Sequence, residues 1–440
     1  MSVTRRGFLK YGLAGAVLAN LPGKAKAQAE QQEVIRRSEP SILQGATDET
    51  KTQFSIVYDR SKKLSVVAIN LKGHELTPDF VEVKTMASYE KSITKVYFSH
   101  LSIHDKYQLV LKTEDGEILD QREFKTLETN NSKLKFALCS CMDEYRHDAG
   151  IWQDLMEKSP DVIFFIGDSV YTDWHPRGGA ANPEQLWIRY SEARSTLDIY
   201  FSKKLIPIFA VWDDHDFGLD NSGSDYKYVK ESKQNFLSFF AQDPGYCSVL
   251  VQGPGVSSAV YLAKQLFVLM DGRSFRLARG SKERYAHWGQ DQENWLYRLL
   301  DEHAGIAWLM NGIQYVPSFI FKESISRNFP INLEAFFTEL RNSKSKVILV
   351  SGDVHYSEVS ELEQELLGYR SYEITSSGIH SVPFPGAPGV VHNSRRLEGT
   401  GQRNYVIVEA HYKGSFLVTS HSKNKKVNFS RLLGLGRIDR

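Results

Sequence analysis

Residues 161–171 read Asp161-Val162-Ile163-Phe164-Phe165-Ile166-Gly167-Asp168-Ser169-Val170-Tyr171. An unbroken apolar run of β-branched and aromatic residues predicts a buried strand. Gly167 lets the backbone turn tightly at the sheet edge, and Asp168 is the first carboxylate beyond it. The pattern recurs. The apolar run 205–211 leads into Trp212-Asp213-Asp214-His215-Asp216, and the run 347–350 leads into Ser351-Gly352-Asp353-Val354-His355. A further predicted strand, 135–139, ends just before Cys141. A side chain at the end of a buried strand is held by the sheet behind it, so several such ends can build a rigid metal site. A thiol, a phenol, carboxylates and two imidazoles on these ends suit a transition metal beside hard cations.

Taken singly, the segments are weak signals. Turns use Gly-Asp constantly, a lone tyrosine such as Tyr171 packs, and Asp-x-His is a common surface turn. The stretch 212–216 says more, because four ionisable residues directly behind an apolar run are costly to bury without partners. Its plain alternative is a solvated acidic turn. Asp353 and His355 alternate onto one side of an extended segment, where they can present an oxygen and a nitrogen to neighbouring metals. His215 is placed to donate a hydrogen bond or a proton to a reacting group. Cys141 is the exception in an oxygen-rich set, since a thiolate suits iron or zinc better than Ca²⁺. Cys139 and Cys247 read as buried apolar residues.

The chain has 440 residues, enough for two domains, with 41% hydrophobic and 12% aromatic residues, as in globular proteins. A net charge of +1 implies no bulk attraction to nucleic acid, and no sequence-specific nucleic-acid binding is expected. Lys423, Lys425, Lys426, Arg431, Arg437 and Arg440 read as a solvated basic tail. Three cysteines make no disulfide framework, and Cys139 and Cys141 are too close for an easy bridge.

Arg5-Arg6-Gly7-Phe8-Leu9-Lys10, the apolar run 11–21, Pro22-Gly23 and Ala25-Lys26-Ala27 supply the charged, apolar and cleavable parts of a signal peptide. The arrangement resembles the twin-arginine export signal. Cleavage is expected after Ala27, with Ala29 the second choice. A membrane anchor is the alternative, although the run is short against the roughly 20 residues of a bilayer span. No other run is long enough, so no transmembrane segment is expected in the mature protein. The resemblance implies the Tat translocase as export partner and a periplasmic or secreted location. That route carries folded proteins, often with a cofactor already inserted.

Residues 28–47 are polar and aperiodic, predicting a linker or extended arm. Short β-rich runs at 55–58, 64–69, 81–83, 95–98 and 107–111 predict a small all-β module of fibronectin or immunoglobulin type over 48–130. From 131 to 440 strands alternate with helices, predicting an α/β layered domain. Strands are expected at 135–139, 162–166, 206–212, 259–270, 346–350, 372–376, 405–410 and 416–420. Helices are expected at 150–158, 183–201, 228–241, 290–303 and 333–342.

Together the segments resemble the PhoD-type alkaline phosphatases and phosphodiesterases, a branch of the metallophosphoesterases. The matching pieces are Ser140-Cys141, Gly167-Asp168 with Tyr171, the stretch 212–216, and Gly352-Asp353-Val354-His355-Tyr356-Ser357-Glu358. Asp271-Gly272-Arg273-Ser274-Phe275-Arg276, Gln292-Glu293-Asn294-Trp295-Leu296 and Thr375-Ser376-Ser377-Gly378 extend the match, which covers about 134–410. The resemblance implies a metallophosphoesterase-like β-sandwich flanked by helices, with one Fe³⁺ and one or two Ca²⁺. Cys141, Asp168, Tyr171 and His355 would be iron ligands. Asp168 would bridge to calcium, with Asp353 and Asp214 as further ligands. The family's asparagine after the acidic turn would be Asn221 or be replaced by Asp220, and Cys139 leaves open which cysteine binds. The implied activity is an exported, metal-dependent phosphoric ester hydrolase acting on phosphate mono- or diesters. His215 would stabilise the transition state. Arg273 is a candidate phosphate clamp, with a structural salt bridge as its alternative. Two other readings remain: a phospholipase D-like diesterase on lipid or cell-envelope head groups, and a non-catalytic envelope-binding protein.

Overall fold

Central strands of mixed sheets are covered on both faces, so they read as continuous apolar runs. The computed structural model shows this arrangement and describes residues 34–103, 105–173, 182–317, 322–381 and 392–436. The predicted signal peptide and the first part of the predicted arm lie outside the described residues, as do Arg437 and Arg440. Within the compact unit Arg36–Arg440, two large mixed sheets carry the candidate site.

The six-stranded sheet runs in the order Ile208–Val211, Val162–Ile166, Lys133–Cys139, Tyr405–His411, Ser415–His421, Val427–Gly434. Its first three strands are parallel. The eight-stranded sheet runs Leu250–Gln252, Ser258–Leu262, Gln265–Leu269, Ile306–Met310, Lys346–Ser351, Tyr372–Thr375, Ser357–Glu361, Arg396–Thr400. From Gln265–Leu269 to Tyr372–Thr375 its strands are parallel. Parallel strands end on the same edge of their sheet. This topology brings the loops after Cys139, Ile166, Val211, Ser351 and Thr375 together.

The two sheets share one apolar core. The Phe136 ring lies 5.3 Å from Phe267 and 5.0 Å from Trp308, and Phe164 stacks on Phe267 at 5.1 Å. Strand alternation sends Trp308, Met310, Ile348 and Val350 into this core. The intervening Ala307, Leu309, Val347 and Leu349 enter a second core. There they meet Leu296 and Leu300 of the helix Gln290–His303 and Phe336 and Leu340 of Pro330–Asn342. Pro330 at the first helical position suits a residue lacking an N–H. The class is mixed α/β, as expected.

Toward the N-terminus lie two four-stranded antiparallel sheets. One is ordered Ser41–Thr47, Thr52–Asp59, Lys91–Phe98, Phe80–Thr85, the other Glu75–Leu76, Ser65–Asn70, Lys106–Lys112, Ile118–Lys125. Ile42, Phe54, Ile56, Val66, Val96, Leu109 and Phe124 from both sheets form one cluster.

Three expectations need correction. Within the expected arm, Ser41–Thr47 is a wholly buried strand. Its polarity hides this because the Gln44 amide nitrogen is engaged internally, donating to Thr47 Oγ1, Thr52 Oγ1 and Lys125 O. The expected long strand 259–270 is a hairpin, Ser258–Leu262 with Gln265–Leu269. It turns through Ala263 and Lys264 at φ 50° and 59°, the left-handed pair that two-residue hairpins require. The expected basic tail contains the strand Val427–Gly434, and Arg431 pairs with Glu398 at 3.3 Å. Lys423 pairs with Asp148 at 2.7 Å and Lys425 with Glu157 at 3.1 Å. Among the described residues no helix is long and apolar enough to cross a membrane.

Candidate metal centre

The loops at the shared strand edge hold their side chains in unusual backbone conformations. Cys141, Asp168, Asp353 and His355 have φ of 57°, 53°, 66° and 61°. Residues with a Cβ rarely occupy this region, and such strain persists where the surrounding structure fixes it. Close backbone approach helps to fix it here. A Cβ on Gly352 would lie 2.9 Å from Ser140 Oγ and 3.0 Å from Ile166 O.

Asp168 is the hub. Cys141 Sγ lies 3.5 Å and Tyr171 Oη 3.4 Å from its Oδ2, both as donors. Its Oδ1 is buried with no hydrogen-bond partner, and so are Asp213 Oδ2 and Asp353 Oδ2. Asp168, Asp213 and Asp353 bring carboxylate oxygens within 4.8 Å of one another. A buried polar atom without a partner is costly, and clustered carboxylates repel. A second group of Asp168, Asp214 and His215 also brings donor atoms within 4.8 Å. Asp168 is common to both groups.

The electrostatics express this crowding. Burial pushes Asp168 well above the usual carboxylate range; His215 opposes the rise, while Asp214, Asp216 and Asp353 add to it. Burial also raises Asp213, against Arg273, and lifts Asp353 to about 6, against Lys322. Burial lifts Asp216 to about 8, although it accepts from Ser169 N at 3.0 Å and Asp213 N at 2.5 Å. Asp214 goes the other way. Burial would raise it, but Arg273, His215 and the N–H of Asn221 at 2.7 Å hold it well below the usual range. Burial raises the Cys141 thiol and the Tyr171 phenol.

His215 is braced on two sides. Its Nδ1 lies 2.7 Å from Asp173 Oδ1, and its ring packs 4.4 Å from that of Tyr171. Burial would lower its pKa, but Asp214 and Asp168 push it up to about 11. The serine pair from the 375–378 stretch ties the loops together. Ser377 Oγ accepts the His355 N–H at 2.7 Å and lies 3.1 Å from Cys141 Sγ, while Ser376 Oγ donates to Leu138 O at 2.8 Å.

The site opens into a cleft of about 1100 Å³ lined by His215, Asn221, Arg276, Lys322, Asp353 and His355, among others. Cys141, Tyr171, Asp214 and His215 therefore meet Asp168 directly or within its donor groups. His355 and Asn221 reach the same cleft, and His355 joins neither group of donor atoms. Asp220 also lines the cleft, and its N–H donates to Asp173 Oδ2 at 2.6 Å. Cys139 lies in its strand opposite Phe165, its thiol raised by burial alone.

Arg273 makes buried ion pairs. It is fully buried, with Nε 2.6 Å from Asp213 Oδ1 and Nη2 2.6 Å from Glu323 Oε1. It does not line the cleft; Arg276 and Lys322 do. Lys322 and Glu323 carry no motif in the sequence. In the sequence Asp213 is one of three aspartates in its turn, with nothing local to set it apart from Asp214 and Asp216.

The donor chemistry fits the implied metals. Converging carboxylate oxygens suit a hard cation, and a thiol and a phenol beside the shared carboxylate suit a transition metal. No protein-family model matches the chain, and no curated protein matches it. Among solved structures, one described as "Structure of PhoD" aligns with a TM-score of 0.66 over 90% of this chain and 88% of that one, at 15% identity. The chain has a PhoD-like fold.

Proposed function

We propose that this protein is a metal-dependent phosphoric ester hydrolase acting on phosphate mono- or diesters, exported by the twin-arginine route to the periplasm or beyond. One observation carries the reading: the carboxylates of Asp168, Asp213 and Asp353, each with a buried oxygen that has no hydrogen-bond partner, converge, and a thiol and a phenol meet Asp168. Fe³⁺ would be held by Cys141, Asp168, Tyr171 and His355. One or two Ca²⁺ would be held by Asp168, Asp353, Asp214 and Asn221 or Asp220, with Asp213 as an additional ligand. In this reading the 48–130 region, together with the strand Ser41–Thr47, forms an accessory module.

Bound metals would supply Lewis acidity and offset phosphate charge. The chain's own residues do the rest. The cleft admits the ester to the strand edge. Asp173 fixes the His215 imidazole through Nδ1, and the ring would donate a hydrogen bond to a phosphoryl oxygen or a proton to the leaving oxygen. Arg273 sets the charge and orientation of Asp213 from behind. Ser377 holds the Cys141 and His355 loops in register.

The test is metal analysis of natively exported protein combined with a panel of chromogenic mono- and diesters. Iron and calcium in the purified protein, with turnover that disappears on chelation, are expected. Metal-free protein that hydrolyses the panel at full rate would overturn the reading.

A further inference from the structure

The arginines near the cluster are already engaged. Arg273 is held by Asp213 and Glu323, and Arg276 by Glu323, with Nη1 at 3.1 Å from Oε1 and Nη2 at 2.5 Å from Oε2. Lys322 is different. Its Nζ lies 3.8 Å from Asp353 Oδ1, and 36% of its side chain is exposed. That separation is an ion pair beyond hydrogen-bond length, so it does not consume the ammonium's three donors. Asp353 also brings a carboxylate oxygen into the cluster with Asp168 and Asp213, and its Oδ2 is buried without a partner. One aspartate thus belongs to the cluster and also pairs with a cation of the cleft wall.

We infer that Lys322 is the side chain through which the protein contacts the substrate's phosphoryl oxygens, the role that the sequence suggested for Arg273. The assignment rests on the proposed phosphate-ester reading of the cleft. A lysine ammonium is a compact point charge on a flexible stem. It can leave the long pairing with Asp353 for a phosphoryl oxygen without stranding a buried carboxylate, because Asp353 faces the metal-binding cluster. A buried guanidinium already holding two carboxylates cannot move in this way without breaking both pairs. The competing role for Lys322 is structural: neutralising Asp353 and supporting metal uptake.

The experiment compares metal-loaded wild type, Lys322→Gln and Lys322→Arg. Metal content is read by elemental analysis and affinity for inorganic phosphate by calorimetry. Loss of a hydrogen bond to a charged group predicts phosphate binding weaker by roughly ten- to a hundred-fold in Lys322→Gln. Metal content should equal wild type, and Lys322→Arg should recover most of the affinity. Equal phosphate affinity in wild type and Lys322→Gln overturns the inference. Phosphate affinity that falls only in proportion to lost metal also overturns it, in favour of the structural role. Wild type that binds no phosphate overturns it as well. Lys322-dependent phosphate binding in a protein that hydrolyses no ester upholds the inference and strikes the hydrolase reading alone.

Discussion

Gly167 and Asp213 touch across the ends of two parallel strands: a Cβ on Gly167 would lie 2.6 Å from the Cβ of Asp213. The φ of Gly167 is 97°, so the position combines a close approach with a conformation that L side chains avoid. The approach lets Asp168, the next residue, share a donor group with Asp213.

Gly167→Ala should therefore destabilise the protein by about 2–5 kcal/mol, from overpacking and backbone strain together. Denaturant unfolding followed by tryptophan fluorescence measures this, and the same variant should lose metal. A wild-type midpoint with a full metal complement would show that the strand ends need not meet this closely.

Asp168→Ala separates stability from metal binding. The shared donor disappears from both groups, so metal and activity should be lost together. Without metal, Asp168 is buried among repelling carboxylates. The metal-free variant should thus be no less stable than metal-free wild type. Elemental analysis with thermal unfolding in chelator checks both halves; retained metal and turnover would remove Asp168 from the centre.

Colour tests the thiol and the phenol that meet Asp168 Oδ2. A phenolate or thiolate on Fe³⁺ should give a visible charge-transfer band. Tyr171→Phe and Cys141→Ser should each shift or weaken it, while Cys139→Ser, in the strand interior, should change little. Identical spectra for iron-loaded wild type, Tyr171→Phe and Cys141→Ser would exclude both as ligands.

Asp48 offers a pH test outside the candidate metal centre. It accepts Thr50 N and Lys51 N at 2.8 Å and Ser248 N and Oγ at 2.7 Å. Burial would raise its pKa, but the Ser248 and Thr50 N–H groups win and lower it. A depressed folded-state pKa contributes stability above the unfolded value near 3.8, lost as pH falls through the folded value. Asp48→Asn should cost about 1–3 kcal/mol at neutral pH, and the difference from wild type should shrink below about pH 4. Unfolding curves across pH would contradict this if the gap were constant.

Export should depend on the arginine pair. Changing Arg5 and Arg6 to Lys should leave precursor in the cytoplasm, seen by fractionation and immunoblotting. Normal mature protein outside the cytoplasm would refute the twin-arginine reading.

The strand Val162–Ile166 and the helix Gln290–His303 match their expected bounds, because burial on both faces and amphipathic periodicity are written locally. So are the turns that carry Cys141, Asp168, Asp214, Asp353 and His355, where polar residues directly follow apolar runs. Other features were not written locally. Ser41–Thr47 disguises burial behind hydrogen bonds made by Gln44 to Thr52 in its own sheet and Lys125 in the other four-stranded sheet. Two residues with left-handed φ, Ala263 and Lys264, form a hairpin turn without the glycine that would announce it. Only the tertiary structure decided that Arg273 serves Asp213 and Glu323 while Lys322 faces the cleft beside Asp353. Sequence specifies which groups can ionise; which charges meet depends on where distant strand ends converge, and pairing energies depend on distance and burial that no local pattern encodes.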